Sequence, residues 1–270
     1  MKKVNKYYTV LVFLFLYLPM LVLMVASFNT GKDVTEFEGF TFNRYVELFH
    51  DDTLLPLLGN SLKLALISSG IATLMGTAAA IGICRMRPRM RNFVLQVTNI
   101  PMTNPDIVTG VSLSLLFVFF GQLMRRNAVL GFGTMLITHI TFNLPYVILN
   151  VMPKIRQLDP ALNEAALDLG CTPLQAFFKV TIHEIMPGII SGAIMAFTMS
   201  LDDFVISYFV YGPDFVTLPV EIYNYTKKPL QPKIYALFTL LFILILGLMV
   251  LMNVLQARGE KRKSVRRARG

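Results

Sequence analysis

The chain has 270 residues, 54% of them hydrophobic and only 15% charged, against ~45–50% and ~25% in soluble domains. It is therefore not an ordinary soluble domain. The net charge of +9 raises nucleic-acid binding, but the basic residues are dealt out among short loops instead of lining one surface.

The charges leave long uncharged runs. Tyr7–Gly31, Leu64–Cys84, Asn127–Pro153 and Ile234–Ala257 hold no Lys, Arg, Asp or Glu, and each exceeds the ~20 residues that cross a bilayer as a helix. Two further apolar runs carry isolated acids: Asn92–Met124 with Asp106, and Ile185–Thr226 with Asp202, Asp203, Asp214 and Glu221. Six helical spans are predicted. Helices satisfy every backbone polar group inside lipid, and solid apolar runs are unlike the alternation of a barrel strand.

In chain order, span one is Tyr7–Phe28. Lys2, Lys3 and Lys6 precede it like the basic head of a signal peptide, but the apolar run outlasts the ~7–15 residues of such a segment, so it reads as a retained span. An acidic outer segment, Asn29–Ser61, follows. Span two is Leu62–Cys84, span three an interrupted Phe93–Met124, and span four Thr134–Met152. A long loop covers Pro153–Met186, before span five at Pro187–Tyr211 and span six at Ile234–Leu255. The chain reads as one membrane domain, 1–270, without an inverted repeat. Seventeen basic residues fall in the termini and in the loops after spans two and four, against six in the other loops. The positive-inside rule then puts both termini and the long loop in the cytoplasm. Cys84 and Cys171 fall on that side, as free thiols with no disulfide or metal role.

The long loop is written to be ordered. Asp159-Pro160 opens a helix as N-cap and N1, and Gly170 suits its C′ position. Thr172-Pro173-Leu174-Gln175 opens a second with a capping box. The first helix carries Ala161, Ala165 and Ala166 for close approach, Leu162, Leu167 and Leu169 as apolar anchors, and Glu164 and Asp168 one turn apart. An ordered, acidic island between spans reads as a docking handle for a cytoplasmic motor. The alternative is a helix lying on the membrane, although such helices favour Lys and Arg.

Glu164-Ala165-Ala166 followed by Gly170, Ile182 and Pro187 resembles the EAA loop of type I ABC importer permeases, the MetI-like inner-membrane components of binding-protein-dependent transport. Leu144-Pro145-Tyr146, Ser200-Leu201-Asp202-Asp203 and Asn104-Pro105-Asp106-Ile107-Val108 resemble the PotC-type permeases of spermidine/putrescine importers. The resemblance runs from span one to span six. It implies an all-α integral membrane protein of six spans with a cytoplasmic coupling helix. It also implies a second, homologous permease subunit, a cytoplasmic ATPase dimer and an extracytoplasmic polyamine-binding protein, in a bacterial cell membrane. Glu164, Ala165, Ala166, Asp168 and Gly170 would then face the ATPase.

The membrane acids suggest a cargo. A carboxylate at the bilayer centre costs at least ~2.5–3.5 kcal/mol, so Asp106, Asp202 and Asp203 are expected to face a cavity or a partner; the alternative for either of the adjacent pair is that it caps a broken helix or pairs with a basic residue of the companion subunit. Asp106 follows Pro101 and Pro105, which should break span three, and it can cap the second half as well as line a pathway. Tyr208 and Tyr211, one turn apart, could hold ammonium groups by cation–π contact or form an interfacial belt. Buried carboxylates that attract the charges and aromatic faces that hold ammonium groups suit a polyamine. His139 and Asn143 share a face of span four and are expected to bond between helices. Gly188 with Gly192, and Ala72 with Gly76 and Ala80, are small-residue packing seams. His50 and His183 make no metal pattern. No nucleophile, metal or phosphate-binding motif is present, so the chain is expected to be no enzyme and to hold no cofactor, ATP and Mg being bound by the partner. Two alternatives remain: an ABC permease for another cationic solute, and an ion-coupled secondary carrier with Asp202, Asp203 and Asp106 as relay.

Overall fold

The computed structural model describes residues 2–31, 36–50, 52–125, 129–227 and 233–247, with 250 and 254. Its helices in chain order are α1 (Lys2–Ser27), α2 (Asn43–Phe49), α3 (Leu54–Arg85), α4 (Pro88–Thr103), α5 (Asp106–Leu123), α6 (Phe132–Arg156), α7 (Pro160–Asp168), α8 (Pro173–Ala176), α9 (Ile182–Asp202), α10 (Val205–Val210) and α11 (Leu218–Thr226), then α12 (Lys233–Gly247). A π-helical turn, Phe177–Thr181, joins α8 to α9, so Pro173–Asp202 is one continuous rod. Five of these helices are long and apolar enough to cross a membrane. The sixth expected span, Ile234–Leu255, runs past the end of α12 into residues outside the described set, as do Lys32, Arg126, Lys228 and the basic tail from Arg258.

The chain divides into two compact units, one of Met1–Pro56 and Ile222–Gly247, the other of Leu57–Glu221 and Leu248–Gly270. In the first, Tyr17 of α1 meets Phe242 of α12 edge to face. The outer segment folds back on the end of α1. Arg44 is buried and donates to the carbonyls of Asn29 and Gly31, while Phe40 stacks on Phe28.

In the second unit α6 is the central rod, packed by α3 and α9. The small-residue seams are what let them close. A β-carbon on Gly76 of α3 would lie 2.7 Å from Val147 of α6, and one on Gly188 of α9 would lie 2.8 Å from Lys154 and 3.0 Å from the Asn150 carbonyl. Ala72, Ala80, Val147, Val151, Ile185 and Ala196 make the apolar core between them.

Proline placement departs from expectation in two places. Pro153 was expected to end span four and Pro187 to begin span five, yet α6 runs on to Arg156 and α9 runs through Pro187. Packing against neighbouring helices sustains both through the missing hydrogen bond, as in membrane bundles generally. Lys154 and Arg156 in the last turn of α6 also favour its carbonyl end. Span five parts at Asp203, whose φ of −65° and ψ of 120° are extended, in line with the reading that one of the two acids caps a broken helix.

Candidate functional site

Two broken spans meet around one cavity. The first break is where prolines place it, with α4 ending before Asn104 and α5 starting at Asp106. Asn104 Nδ2 spans the gap to Thr109 Oγ1 at 3.0 Å. Asp106 is not the cap. Pro105 holds the N-cap position and no side chain bonds there, so Asp106 sits in the first turn, where its charge still favours the helix N-terminus. The second break, between α9 and α10, is capped by Asp203. Its carboxylate accepts from the N–H of Ile206 at 3.3 Å, the N–H of Ser207 at 2.8 Å and the hydroxyl of Ser207 at 2.7 Å. Close approach of α5 to α10 is allowed by Gly110, where a β-carbon would lie 3.2 Å from Ile206 Cα.

The cavity of about 190 Å³ is lined by Asp106, Asp202 and Asp203, with Phe142, Tyr146 and Phe204 as aromatic faces and Met102 and Met199 among the apolar residues. Among the described residues, no Lys, Arg or His lines it. Walls of one sign in a low-dielectric setting concentrate the opposite charge, and aromatic faces hold ammonium groups. Asp202 is exposed, whereas the Asp203 side chain is only 10% exposed. Tyr208 and Tyr211 are not part of this lining. They pair with each other at 6.0 Å, and Tyr211 packs against the core of Leu64, Met135, Val210 and Phe215.

Phe142, Tyr146 and Met199 escaped the sequence reading as lining residues. Leu144-Pro145-Tyr146 resembles the polyamine permeases, and Tyr146 is the residue of that motif that lines the cavity. Of the two polar residues expected to bond between helices, His139 does so. Its Nδ1 is 2.6 Å from Ser200 Oγ and its Nε2 is 2.9 Å from Ser207 Oγ. The fully buried Asn143 amide has no partner among the described residues.

The long loop forms a second, separate feature. Asp159 caps α7 by accepting from the Ala161 N–H at 3.0 Å. Gly170 follows with φ of +84°, a left-handed conformation that favours glycine. Thr172 and Gln175 complete the capping box of α8. On α7, Glu164, Ala165 and Asp168 are exposed and Ala166 is buried, while Leu169 just beyond is 87% exposed. The acids and an apolar anchor thus stand on an outward face, stiffened at both ends.

The chain is similar to known proteins. Residues 72–265 match the family described as "Binding-protein-dependent transport system inner membrane component". The chain is 39% identical to the putrescine transport system permease protein PotI of Escherichia coli (strain K12), over 95% of this chain and 92% of that one. It is 36% identical to the spermidine/putrescine transport system permease protein PotC of the same strain, over 92% of each. Among solved structures, a chain of a bacterial ABC transporter involved in alginate import superposes with a TM-score of 0.73 at 17% identity, covering 95% of this chain and 94% of that one. An amino acid ABC transporter gives a TM-score of 0.57 at 20% identity, covering 82% and 99%. These last two speak for the fold. The multi-pass membrane chain belongs to the inner membrane component family of binding-protein-dependent transport systems.

Proposed function

We propose that this chain is one of two unlike permease subunits of an ATP-driven importer and that its cargo is a polyamine, putrescine or spermidine. The observation that carries the cargo assignment is the chamber at the two helix breaks. It gathers Asp106, Asp202 and Asp203 with three aromatic faces and, among the described residues, no basic one. An anionic cargo would be repelled there, and a neutral one would not offset the cost of keeping carboxylates in the membrane. The chamber is also smaller than the ~300–1,000 Å³ of drug-sized sites, which suits a slender alkylammonium chain. Tyr208 and Tyr211 stand outside it and are assigned to the route leading in.

Transport is driven from below. The exposed face of α7, with Glu164, Ala165 and Asp168, docks a cytoplasmic ATPase dimer, and Gly170 sets the turn that holds the helix to the bundle. The permease itself hydrolyses nothing and needs no cofactor, because ATP and Mg stay with the ATPase. An extracytoplasmic binding protein delivers the cargo. The chain lies in a bacterial cell membrane with both termini inside.

The test is uptake of labelled putrescine and spermidine in cells deficient in polyamine import. The chain is expressed alone and with a matched ATPase, companion permease and binding protein. Uptake is expected only with the full set, and lost when the ATPase is inactivated. Gradient-driven uptake by the chain alone would instead make it a secondary carrier. An assembled, ATP-hydrolysing complex that takes up neither polyamine would remove the cargo assignment.

A further inference from the structure

The one imidazole buried in the centre of the second unit is bonded on both sides of the α9–α10 break. His139, on α6, reaches Ser200 in the last turn of α9 through Nδ1 and Ser207 in α10 through Nε2, at 2.6 and 2.9 Å. The direction of each bond follows from proton counting. A hydroxyl has one proton to donate, and Ser207 gives its proton to the Asp203 carboxylate at 2.7 Å. Ser207 can then only accept from His139, which places a proton on Nε2. A neutral imidazole carries one N–H, so Nδ1 accepts and Ser200 donates. Ser200 in turn can accept from Ser68 of α3, 3.0 Å away. Donation therefore runs one way, from Ser68 through Ser200, His139 and Ser207, and ends on a carboxylate, the strongest acceptor in the chain.

An imidazolium would reverse the upper half of this chain, with Ser68 donating to the Ala65 carbonyl at 3.3 Å. It would also bury a cation whose carboxylate partner is 3.7 Å from Nε2 and already accepts three hydrogen bonds. Burying a charge with so loose a partner is costly, so the neutral form is favoured.

The two adjacent acids are thereby separated. Asp203 is held by the chain itself. Asp202 is exposed on the same cavity. We propose that His139 is a positioning residue for transport: as the neutral Nε2–H tautomer it pins α9 and α10 to α6 across the break, keeps Asp203 bound to the protein and leaves Asp202 as the carboxylate offered to the cargo. The last clause rests on the polyamine reading; the pinning does not.

Two measurements test it on the assembled complex. The first is solid-state nitrogen NMR of histidine-labelled complex, read as the difference between wild type and His139→Gln. An unprotonated Nδ1 with a protonated Nε2 is expected. The opposite tautomer, or protonation of both nitrogens, overturns the pinning whatever the cargo. The second is ATP-driven uptake per assembled complex. Ser207→Ala should lower the maximal rate about tenfold, as one stranded buried donor implies, with little change in half-saturating cargo concentration. Ser207→Thr, which restores the hydroxyl, should recover most of the rate. Wild-type uptake by Ser207→Ala overturns the positioning role. A wild-type complex with the expected tautomer that takes up no polyamine overturns only the assignment of Asp202 to this cargo.

Discussion

At the scale of single residues, Asp202 and Asp203 are neighbours in sequence but differ in exposure and in what holds them. Asp203 accepts three hydrogen bonds from the start of α10. Asp203→Ala should therefore cost ~1–2 kcal/mol, as loss of a helix cap does. The thermal-unfolding midpoint of the purified permease should fall accordingly. Asp202→Ala removes an exposed group and should shift stability by less than ~0.5 kcal/mol, while uptake of a diamine by the assembled complex drops. Equal effects of the two substitutions on the midpoint would contradict this division. The acid pair was visible in the sequence because carboxylates in an apolar run are expensive. That one of them caps a broken helix was among the sequence readings; which one was not visible, because it depends on the backbone turn that aims the Asp203 carboxylate at the N–H groups of Ile206 and Ser207. Asp106 shows the same limit. Its proline neighbours announced a helix break, but which residue caps the break depended on one turn of backbone geometry that placed Pro105 there.

At the scale of elements, the spans were legible because gaps between charges mark them, and their continuity was not. Pro101 and Pro105 fall at or near a real break, whereas Pro145, Pro153 and Pro187 lie inside helices. The difference lies in what surrounds each one. Pro145 is buried in α6, which is clamped by α3 and α9, and no composition rule reports that clamp. The clamp itself is testable. Gly76→Ile would drive a side chain into Val147, 2.7 Å from the position of its β-carbon. Overpacking of this kind costs ~1–3 kcal/mol, to be read as a lower unfolding midpoint. Gly82→Ala, with nothing within 4 Å of the new carbon, should be neutral or slightly stabilising because alanine favours helix. The loop bearing α7 was the most legible element, since Asp159, Gly170, Thr172 and Gln175 act locally and their chemistry is written in adjacent positions. Gly170→Ala forces a β-carbon into a left-handed conformation, a strain of ~1–2 kcal/mol. The bundle should stay folded while ATP-driven uptake falls, because the turn that aims α7 relaxes. Unchanged uptake with a normal fold would remove Gly170 from the coupling role.

At the scale of the whole molecule, the remaining question is which way the chain faces, and the distribution of charge supplies the expectation to test. Seventeen basic residues crowd the termini and alternate loops, and lysine and arginine resist transfer across the membrane during insertion. The proposed orientation puts the acidic segment bearing α2 outside and α7 inside, with its acids toward the proposed ATPase. The two faces differ in accessible positions, which makes the orientation measurable. Cys84 and Cys171 are first replaced by Ser. Single cysteines are then placed at Glu47 in α2 and Glu164 in α7, the latter exposed and the former outside the buried set. A membrane-impermeant maleimide should label Glu47→Cys in cells whose outer barrier is opened, and Glu164→Cys only after the inner membrane is lysed. The reversed pattern would place the docking helix where no ATP is available and would sink the importer mechanism, whatever the chamber binds. Labelling of Glu164→Cys should further be blocked when the ATPase is co-expressed, since a docked partner covers that face. Protection confined to Glu164 and absent at Glu47 would tie the orientation and the coupling surface together in one experiment.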